Sequence, residues 1–498
     1  MKENDIGTHV LGKSNDHRAH RHITPQEFGA QGDGVSLDTE AIQAAVDHAA
    51  KTGSVLYFPA GRYLTGTVRL RSNLTMEISR QAILTGSADP ADYPEIPEPS
   101  DPTLKQKEHF LHALLFGDKV ENVVITGHGT LDGNGARIYP EWCAAHFPDT
   151  PTKHLAPTFR PVLIQLAGAR NCEVNGITLT NSGSWTQSYV CCSGLRLEGL
   201  TVEAISAWNN DGIDLCDSRD VIIHGCRINC ADDGICLKSS SRPVENVVVS
   251  DCIVRSSASA IKFGTASAQG FRNITITNIS IYDTARSGIT LQIVDGGSLE
   301  QVTISNITMR NVGNAIYLRI GDRSRGNASH QNAGVLRQVS ISNVVAEITG
   351  FDSDAAYPLR APRPNPRPNP LPSIVAGLPG AVIEDVILSN IQLLYRGDLC
   401  AAGKVLPPER CAEVPESAGE YPEYDQFGEL PAWGFYLRHV RGVVMRDISL
   451  RLEGEDLRPA IVAEDAGDLR LEGMNIKGPE GVEPVYIAGS DLHGRNAG

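Results

Sequence analysis

The feature that most constrains this chain is a nine-residue phrase that recurs along most of its length. The phrase opens with Asn, Asp, Gln or Gly and continues as apolar-x-apolar-x-Asn/Gly/Asp-apolar-x-apolar. Apolar and polar residues that alternate with a period of two are typical of a strand with one buried face. Copies of the phrase begin at Asn122, Asn171, Gly194, Asp220, Asn246, Asn273, Gln301, Gln338, Asp385, Gly442 and Asp468.

The spacing of these copies predicts the fold. Between Gly194 and Gln301 successive copies start 26, 26, 27 and 28 residues apart, and a second short strand such as GIDLC, GICLK or AIKFG follows in each repeat. Repeats of this length with two or three short strands fit a solenoid of parallel strands. Because no amphipathic helix lies between the strands, βαβ units and barrels are excluded. We therefore predict an all-β fold, a right-handed parallel β-helix.

The two ends and the late insertions depart from this repeat. Ile42, Ala45, Val46 and Ala49 form an apolar stripe that predicts a helix over Asp38–Ala50, which would cap the N-terminal end of the solenoid. An acidic, aromatic loop at Glu413–Trp433 is expected either to shape a binding site or to cap an end. The expected organisation is a flexible N-terminal tail at 1–24 and one β-helix domain at 25–498, with long loop insertions near 350–380 and 395–435.

Composition and charge exclude several kinds of partner. The net charge is −15 and no basic stripe occurs, so neither nucleic acid nor a membrane is an expected partner. The eleven cysteines have no zinc or disulfide spacing, and we predict neither a metal nor a cofactor. Met1–Leu11 lacks the apolar core of a signal peptide, which predicts a cytoplasmic protein, or a secreted or periplasmic one if a signal has been removed. The oligomeric state stays open.

Two acidic knots, Asn209–Asp214 and Asp232–Lys238, fall at the same place in successive repeats. Aligning the second strands by their Gly/Ala-Ile step puts Asp211 and Asp233 in one column, with Asp232 beside them. Adjacent coils of a sheet lie about 4.8 Å apart. The sequence therefore predicts three carboxylates on one solvent-facing ledge.

Such a cluster suits the hydrolysis of a glycosidic bond. An inverting glycosidase needs one protonated carboxylic acid for the leaving oxygen and one carboxylate that holds the attacking water. Crowded carboxylates raise one another's pKa, which keeps an acid protonated. We predict Asp232 as the general acid, with Asp211 and Asp233 as water-holding bases. Two alternatives remain: Asp-Gly pairs are common turn formers, and clustered carboxylates bind calcium.

Other polar residues in the outward columns are candidates for binding the substrate. Aromatic faces stack on sugar rings, so Trp185, Tyr189 and Trp208 are possible sugar contacts, although ordinary packing explains them as well. The predicted substrate-binding residues are Asn209, Asp214, Lys238, Lys262, Gln292, Arg319 and Arg323.

Over most of its length the chain resembles glycoside hydrolase family 28, the polygalacturonase family. The resemblance rests on motifs that include Phe28-Gly-Ala-Gln-Gly-Asp-Gly and Gly127-His-Gly-Thr-Leu-Asp-Gly-Asn-Gly. The Asn-Thr-Asp motif of the family matches Asn209-Asn210-Asp211, and its Asp-Asp motif matches Asp232-Asp233. The resemblance implies a pectin-lyase-like solenoid and inverting hydrolysis with Asp232 as the acid.

Two motifs of that family are replaced in this chain. Ala258-Ser259-Ala260 stands where Gly-His-Gly is expected, and Thr290-Leu291-Gln292 stands where Arg-Ile-Lys is expected. In polygalacturonases these residues tune the acid and bind the galacturonate carboxylate. Lys262 and Lys238 are candidates to replace the lost cation, or they neutralise the nearby carboxylates.

The function predicted from the sequence is a glycoside hydrolase that acts on an oligosaccharide or polysaccharide of the plant-wall type, pectic, uronate-containing or related, and that is exo-acting. A polysaccharide lyase on the same fold is an alternative, with a calcium-bound uronate and an Arg or Lys as proton acceptor. A catalytically inactive carbohydrate-binding β-helix is another.

Overall fold

The computed structural model describes residues 21–96, 112–135, 137, 160–207, 209–323, 333–349, 371–396 and 405–489. Within these residues 34 strands join into a single sheet. Short 3₁₀ helices lie at Pro25–Phe28, Pro90–Asp92 and Pro408–Glu413. In the same residues, no helix has the length and apolar character that a membrane crossing requires.

The strands are short in the first coils and longer towards the middle of the chain. The first seventeen are β1 (His22–Ile23), β2 (Asp33–Leu37), β3 (Val55–Phe58), β4 (Gly61–Thr65), β5 (Val68–Arg69), β6 (Thr75–Ile78), β7 (Ala82–Gly86), β8 (Ala113–Asp118), β9 (Val124–Gly127), β10 (Thr130–Asp132), β11 (Val162–Ala167), β12 (Arg170–Asn175), β13 (Thr178–Thr180), β14 (Gln187–Val190), β15 (Ser193–Glu198), β16 (Thr201–Ala204) and β17 (Ile213–Cys216). The remainder are β18 (Arg219–His224), β19 (Arg227–Cys230), β20 (Ile235–Ser239), β21 (Val244–Ser250), β22 (Ile253–Ser256), β23 (Ile261–Ser267), β24 (Phe271–Ile293), β25 (Ser298–Ile320), β26 (Val335–Thr349), β27 (Ser373–Ala376), β28 (Ile383–Arg396), β29 (Phe435–Arg441), β30 (Val444–Glu453), β31 (Ile461–Gly467), β32 (Arg470–Glu472), β33 (Asn475–Lys477) and β34 (Val485–Ala488).

These strands stack in three parallel columns, which confirms the parallel β-helix. One column contains β12, β15, β18 and β21, and a second contains β13, β16, β19 and β22. The third column, which we call the site face, contains β11, β14, β17, β20 and β23. The long strands β24 and β25 then run through all three columns. The predicted register is confirmed, because Asp214 pairs with Cys236 and Cys236 pairs with Lys262.

The nine-residue phrase supplies both the core and the corners of each coil. Its apolar positions stack in buried columns, such as Val221 on Val247 on Ile274. All eleven phrase starts have a positive φ, which Asn, Asp and Gly tolerate better than other residues. The sixth position of the phrase also has a positive φ, and in the coils from Asp251 to Asn390 the successive side chains at this position are joined by hydrogen bonds. We call the column of Asp251, Asn278, Asn306, Asn343 and Asn390 the amide ladder.

The predicted capping helix is present as α1 (Thr39–Thr52). Its four predicted apolar residues are buried, and it packs against β3, β5 and the 3₁₀ helix at Pro25–Phe28. The helix ends at Gly53, whose φ of 71° stops the helical path.

Of the predicted N-terminal tail at 1–24, the structure describes residues 21–24, and part of this segment belongs to the sheet. His22 and Ile23 pair with Val55 and Leu56, and the apolar side chain of Ile23 is buried in the hydrophobic core. Residues 1–20, 350–370 and 397–404, which include most of the tail, most of the first insertion and a short part of the second, lie outside the described residues.

Candidate active site

The two acidic knots lie on adjacent coils at the start of site-face strands. Asp211 and Asp233 precede β17 and β20, and the backbone N–H of Gly212 donates to the carbonyl of Asp233 at 2.9 Å. Carboxylate oxygens of Asp211 and Asp233 and the sulfur of Cys236 lie within 4.8 Å of one another. The structure therefore brings Asp211 and Asp233 together, as the repeat register predicts.

The predicted solvent-facing ledge is wrong for two of the three carboxylates. Asp211 and Asp233 are only 4% and 5% exposed, whereas Asp232 is half-buried. The backbone N–H of Asp233 donates to Asp232 at 3.0 Å, and the Asn209 amide donates to the other Asp232 oxygen at 3.3 Å. Asp232 is thus the carboxyl group of the three that is most accessible to a substrate.

Asn210 explains why an amide stands inside the first knot. Its side-chain oxygen accepts from the N–H groups of Ser206 and Ala207, and its NH₂ group donates to the carbonyls of Ser182 and Ser184 at 2.9 and 2.6 Å. The fully buried amide therefore ties the turn before Asp211 to the preceding coil. Neighbouring Asn209 also accepts a hydrogen bond from Arg160 at 2.9 Å.

Two lysines neutralise the buried carboxylates from the same face. Lys238 forms a hydrogen-bonded ion pair with Asp214, lies 3.6 Å from Asp211, and has its ammonium 4.1 Å from the centre of the Trp185 ring. Lys262 lies 3.0 Å from Asp233. The predicted residues Asp214, Lys238 and Lys262 thus belong to the site, and they act on its carboxylates through charge.

This arrangement shifts the pKa values of the neighbours Asp232 and Asp233 in opposite directions. Burial, and then the charge of Asp233, raises the pKa of Asp232. Burial alone would also raise the pKa of Asp233, but Lys262, Lys238 and Arg286 lower it below its ordinary value. Two carboxyls with divergent pKa values are the pattern of an acid and a base in one catalytic site.

The pKa values of Asp211 and Asp214, the two carboxyls of the first knot, are also raised. Burial, followed by the charges of Asp214 and Asp232, raises the pKa of Asp211 well above its ordinary value. Burial raises the pKa of Asp214 to about 7, although Lys238 opposes the change. Asp233 is therefore the carboxyl of this group that is best held as an anion.

The metal alternative has one candidate cluster within the described residues, formed by Asp211, Asp233 and Cys236. The ammonium groups of Lys238 and Lys262 already lie against its two carboxylates. This donor set is poorly suited to a calcium ion, which prefers six to eight oxygen ligands.

The acidic loop at Glu413–Trp433 packs onto the site face directly beyond the acidic knots. Glu423 lies 2.5 Å from Arg286 and 3.5 Å from Lys262, and Gln292 donates to the carbonyl of Pro422 at 2.7 Å. Of the two roles expected for this loop, its contacts favour shaping the site.

Sequence reasoning missed Arg286 and Glu423. Arg286 could have been found from the repeat. Asp233 and Ser287 occupy equivalent repeat positions, so Asp232 and Arg286, which precede them, are equivalent as well. Glu423 had no such signal, since it lies outside the repeat.

Four predicted sugar contacts are committed to other partners. Gln292 and Arg319 are buried under the loop, where Arg319 donates to the carbonyls of Gly377 and Glu416. Arg323 pairs with Asp295 at 2.6 Å, and Tyr189 is buried in the core. Their predicted substrate-binding roles are therefore corrected to structural ones: periodicity identifies the face of a residue but not what covers it. Trp208 lies outside the described residues.

Two adjacent carboxyl groups whose pKa values are shifted in opposite directions, on a parallel β-helix, define a candidate glycosidase site. The family model of glycosyl hydrolases family 28 matches residues 52–357. The chain therefore belongs to glycosyl hydrolases family 28 and is a glycoside hydrolase.

Individual relatives agree with this assignment. A protein named "Probable polygalacturonase" from Vitis vinifera is 29% identical over 64% of this chain and 68% of its own length. An exo-poly-alpha-D-galacturonosidase from Dickeya chrysanthemi is 23% identical over 58% of this chain, and the match spans only 55% of that relative. The structure of a family 28 exopolygalacturonase from Yersinia enterocolitica has a TM-score of 0.68 at 19% identity, covering 92% of this chain and 78% of that one. The solved structure supports the fold.

The cytoplasmic location predicted from the first residues finds no support in these relatives.

Proposed function

We propose that this chain hydrolyses glycosidic bonds with inversion, using Asp232 as the acid and Asp233 as the principal base. The observation that carries the proposal is the divergence of these adjacent carboxyls, with the pKa of Asp232 raised and that of Asp233 lowered. Asp232 is also the accessible member of the pair. The site thus holds an acid and a base side by side.

In the proposed reaction, Asp232 gives its proton to the glycosidic oxygen as the bond from that oxygen to the anomeric carbon breaks. A water molecule attacks the anomeric carbon from the opposite face, and its proton passes to Asp233. Asp211, whose raised pKa favours its neutral form, helps to orient the water. The products are two shorter saccharides, and the active protonation state returns when Asp233 gives up its proton and Asp232 takes one up again, through solvent.

The proposed substrates are pectic or related plant-wall glycans. This assignment rests on relatives whose names contain polygalacturonase and galacturonosidase. Plant-wall glycans lie outside cells, so we also infer that the enzyme works in a secreted or periplasmic location.

We further propose exo action, because the loop ends the site face on one side of the acidic knots. Glu423 and Pro422 contact side chains of the coil that follows Lys262, and Glu416 covers Arg319 one coil further. A polysaccharide that lies across the knots would meet this loop. One end of the polysaccharide must therefore lie at the loop, as exo action requires.

Product analysis tests these points. Digestion of pectic polymers should release one or two sugar units with a slow loss of viscosity, and NMR should first detect the inverted anomer. A fast viscosity loss would contradict exo action, retention would contradict the mechanism, and no release from any pectic glycan would contradict the substrate.

The lyase alternative is weakened by the raised pKa values of the two lysines at the site. A lyase needs an unprotonated Arg or Lys, but carboxylates raise the pKa values of Lys238 and Lys262 further despite their burial. Products that absorb in the ultraviolet would nevertheless revive it.

A further inference from the structure

Glu423 places a carboxylate of the protein itself against Arg286 and Lys262, on the loop side of the acidic knots. We propose that the enzyme binds a neutral sugar unit, not a uronate, in the space between Asp232 and the acidic loop, and that Glu423 sets this preference. The inference rests on the proposed function and specifies the sugar at that site.

Three cations on the loop side of the knots, Lys238, Lys262 and Arg286, already have carboxylate partners. Lys238 pairs with Asp214, and Lys262 lies 3.0 Å from Asp233. Arg286 lies 2.5 Å from Glu423. A substrate carboxylate would therefore have to displace a carboxylate of the protein in order to gain a cation.

The exposed part of this network is the pair formed by Arg286 and Glu423. The side chain of Lys262 is 1% exposed, whereas those of Arg286 and Glu423 are 30% and 15% exposed. Arg286 lies on the coils directly beyond the acid: its backbone N–H donates to the carbonyl of Ala258 at 3.0 Å, and the N–H of the next residue, Ser259, donates to Asp233 at 3.2 Å. The charge of Asp232 also contributes to raising the pKa of Arg286. A substrate that reaches Asp232 thus meets a guanidinium and a carboxylate side by side.

This pair matches a hydroxyl group better than a carboxylate. A sugar hydroxyl both donates and accepts, so it can donate to Glu423 and accept from Arg286. An ionised substrate carboxylate only accepts, and it would be repelled by Glu423.

The loop keeps Glu423 in place against such competition. The preceding residue, Pro422, accepts a hydrogen bond from buried Gln292 at 2.7 Å, and Tyr424 on the other side is buried. Because Glu423 is tethered to the protein, its effective concentration at Arg286 is in the millimolar range or above. A substrate uronate must compete with it at that level to bind Arg286.

Calorimetric binding to an Asp232→Asn parent tests the inference without turnover. The probes are two short oligosaccharides that are identical except for a terminal galactosyl or galacturonosyl unit. We expect the parent to bind the galactosyl-ended probe at least tenfold more tightly. Adding Glu423→Gln, which keeps the size and removes the charge, should shift the ratio by at least tenfold towards the uronate.

Glu420→Gln is the matched control, because it removes one negative charge from an exposed position of the same loop. It should leave the ratio of the parent unchanged, and unfolding temperatures should show that the loop stays docked in both variants. A parent that prefers the uronate, a shift below tenfold, or no binding of either probe would overturn the inference. Turnover of pectic glycans by the unmodified enzyme separates that result from a failure of the proposed function.

Discussion

The amide ladder and the acidic knots are both columns of Asn or Asp at corners of the same solenoid, yet they differ in charge and burial. In the ladder, Asn306 donates to Asn278 at 3.1 Å and accepts from Asn343 at 3.0 Å, on the exposed surface. In the knots, Asp211 stacks on Asp233 in a buried site, and one Asp211 oxygen lacks a hydrogen-bond partner in the described contacts.

The difference separates a structural column from a functional one. An amide both donates and accepts, so identical amides can stack without repulsion, whereas stacked carboxylates repel and need cations. Where the fold uses Asp at a structural corner, as at Asp251 and Asp220, the carboxylate is exposed and accepts a hydrogen bond from an Asn of the next coil, so it does not stack on another carboxylate. The stacked, buried carboxylates of the knots therefore indicate a chemical role, and substitutions in the two columns should have opposite consequences.

The largest expected effect is the loss of turnover in Asp232→Asn. Because the amide cannot give a proton to the leaving oxygen, kcat should fall by about 10²–10⁴-fold. Hydrolysis of pectic glycans measures the fall. Asp220→Asn makes the same change at a structural corner, where Asp220 accepts from Asn246, and should retain activity. If Asp232→Asn and Asp220→Asn were equally active, the acidic knots would be no more important for catalysis than a structural corner.

Lys262→Met should produce the next largest effect, on stability. It removes a buried partner of Asp233 and so should lower the free energy of unfolding by about 3 kcal/mol, measured by denaturant unfolding. Because Lys262 is the leading cation that lowers the pKa of Asp233, the acidic limb of kcat/KM should move to higher pH.

The exposed Lys477 offers the control for this change. Lys477→Met should alter neither the unfolding free energy nor the pH profile. An unmoved acidic limb in Lys262→Met would show that Asp233 does not set that limb.

Asn306→Ala should have a smaller effect, confined to stability. Alanine loses two ladder hydrogen bonds and is strained at a φ of 57°, so the unfolding free energy should fall by about 1–2 kcal/mol. Asn306→Gly also removes the hydrogen bonds, but glycine tolerates a positive φ. Its unfolding free energy should therefore fall less than that of Asn306→Ala. Changed kcat in either variant would show that the ladder influences the site.

The repeat made much of this structure predictable. Period-two alternation identified the strands, and the spacing of the phrases identified the register that joins Asp211 to Asp233. The capping helix followed from the apolar stripe that ends at Ala49. Each of these depends on neighbours along the chain or on the next coil, which a repeating pattern encodes.

The covering of the site was not predictable in the same way. Glu423 meets Arg286 from 137 residues away, from a loop without periodicity. The sequence shows that Gln292 and Arg319 face outward from the coil, but docking of the loop converts that outward surface into a buried contact. Their sugar-binding prediction failed for this reason, and the specificity proposed for Glu423 follows from the same contact.

The smallest expected effect is a gain in stability in Asp211→Asn, which replaces a carboxylate of the acidic knots with the amide that the ladder uses. Burial and neighbouring carboxylates raise the folded pKa of Asp211 above its unfolded value of about 3.9. The folded state therefore holds this proton more tightly, and its contribution to stability is lost as pH rises from about 4 through the folded pKa.

An amide at position 211 cannot ionise, so the variant should escape that loss. We expect it to be more stable than the unmodified enzyme by about 1 kcal/mol at neutral pH, with a smaller difference at pH 4, as for other substitutions that relieve a strained functional site. Denaturant unfolding at both pH values measures this, and kcat should fall because the water loses a partner. A variant that is less stable at neutral pH would mean that Lys238 outweighs burial and repulsion, and the knot would then be held together by its charges as the ladder is by its amides.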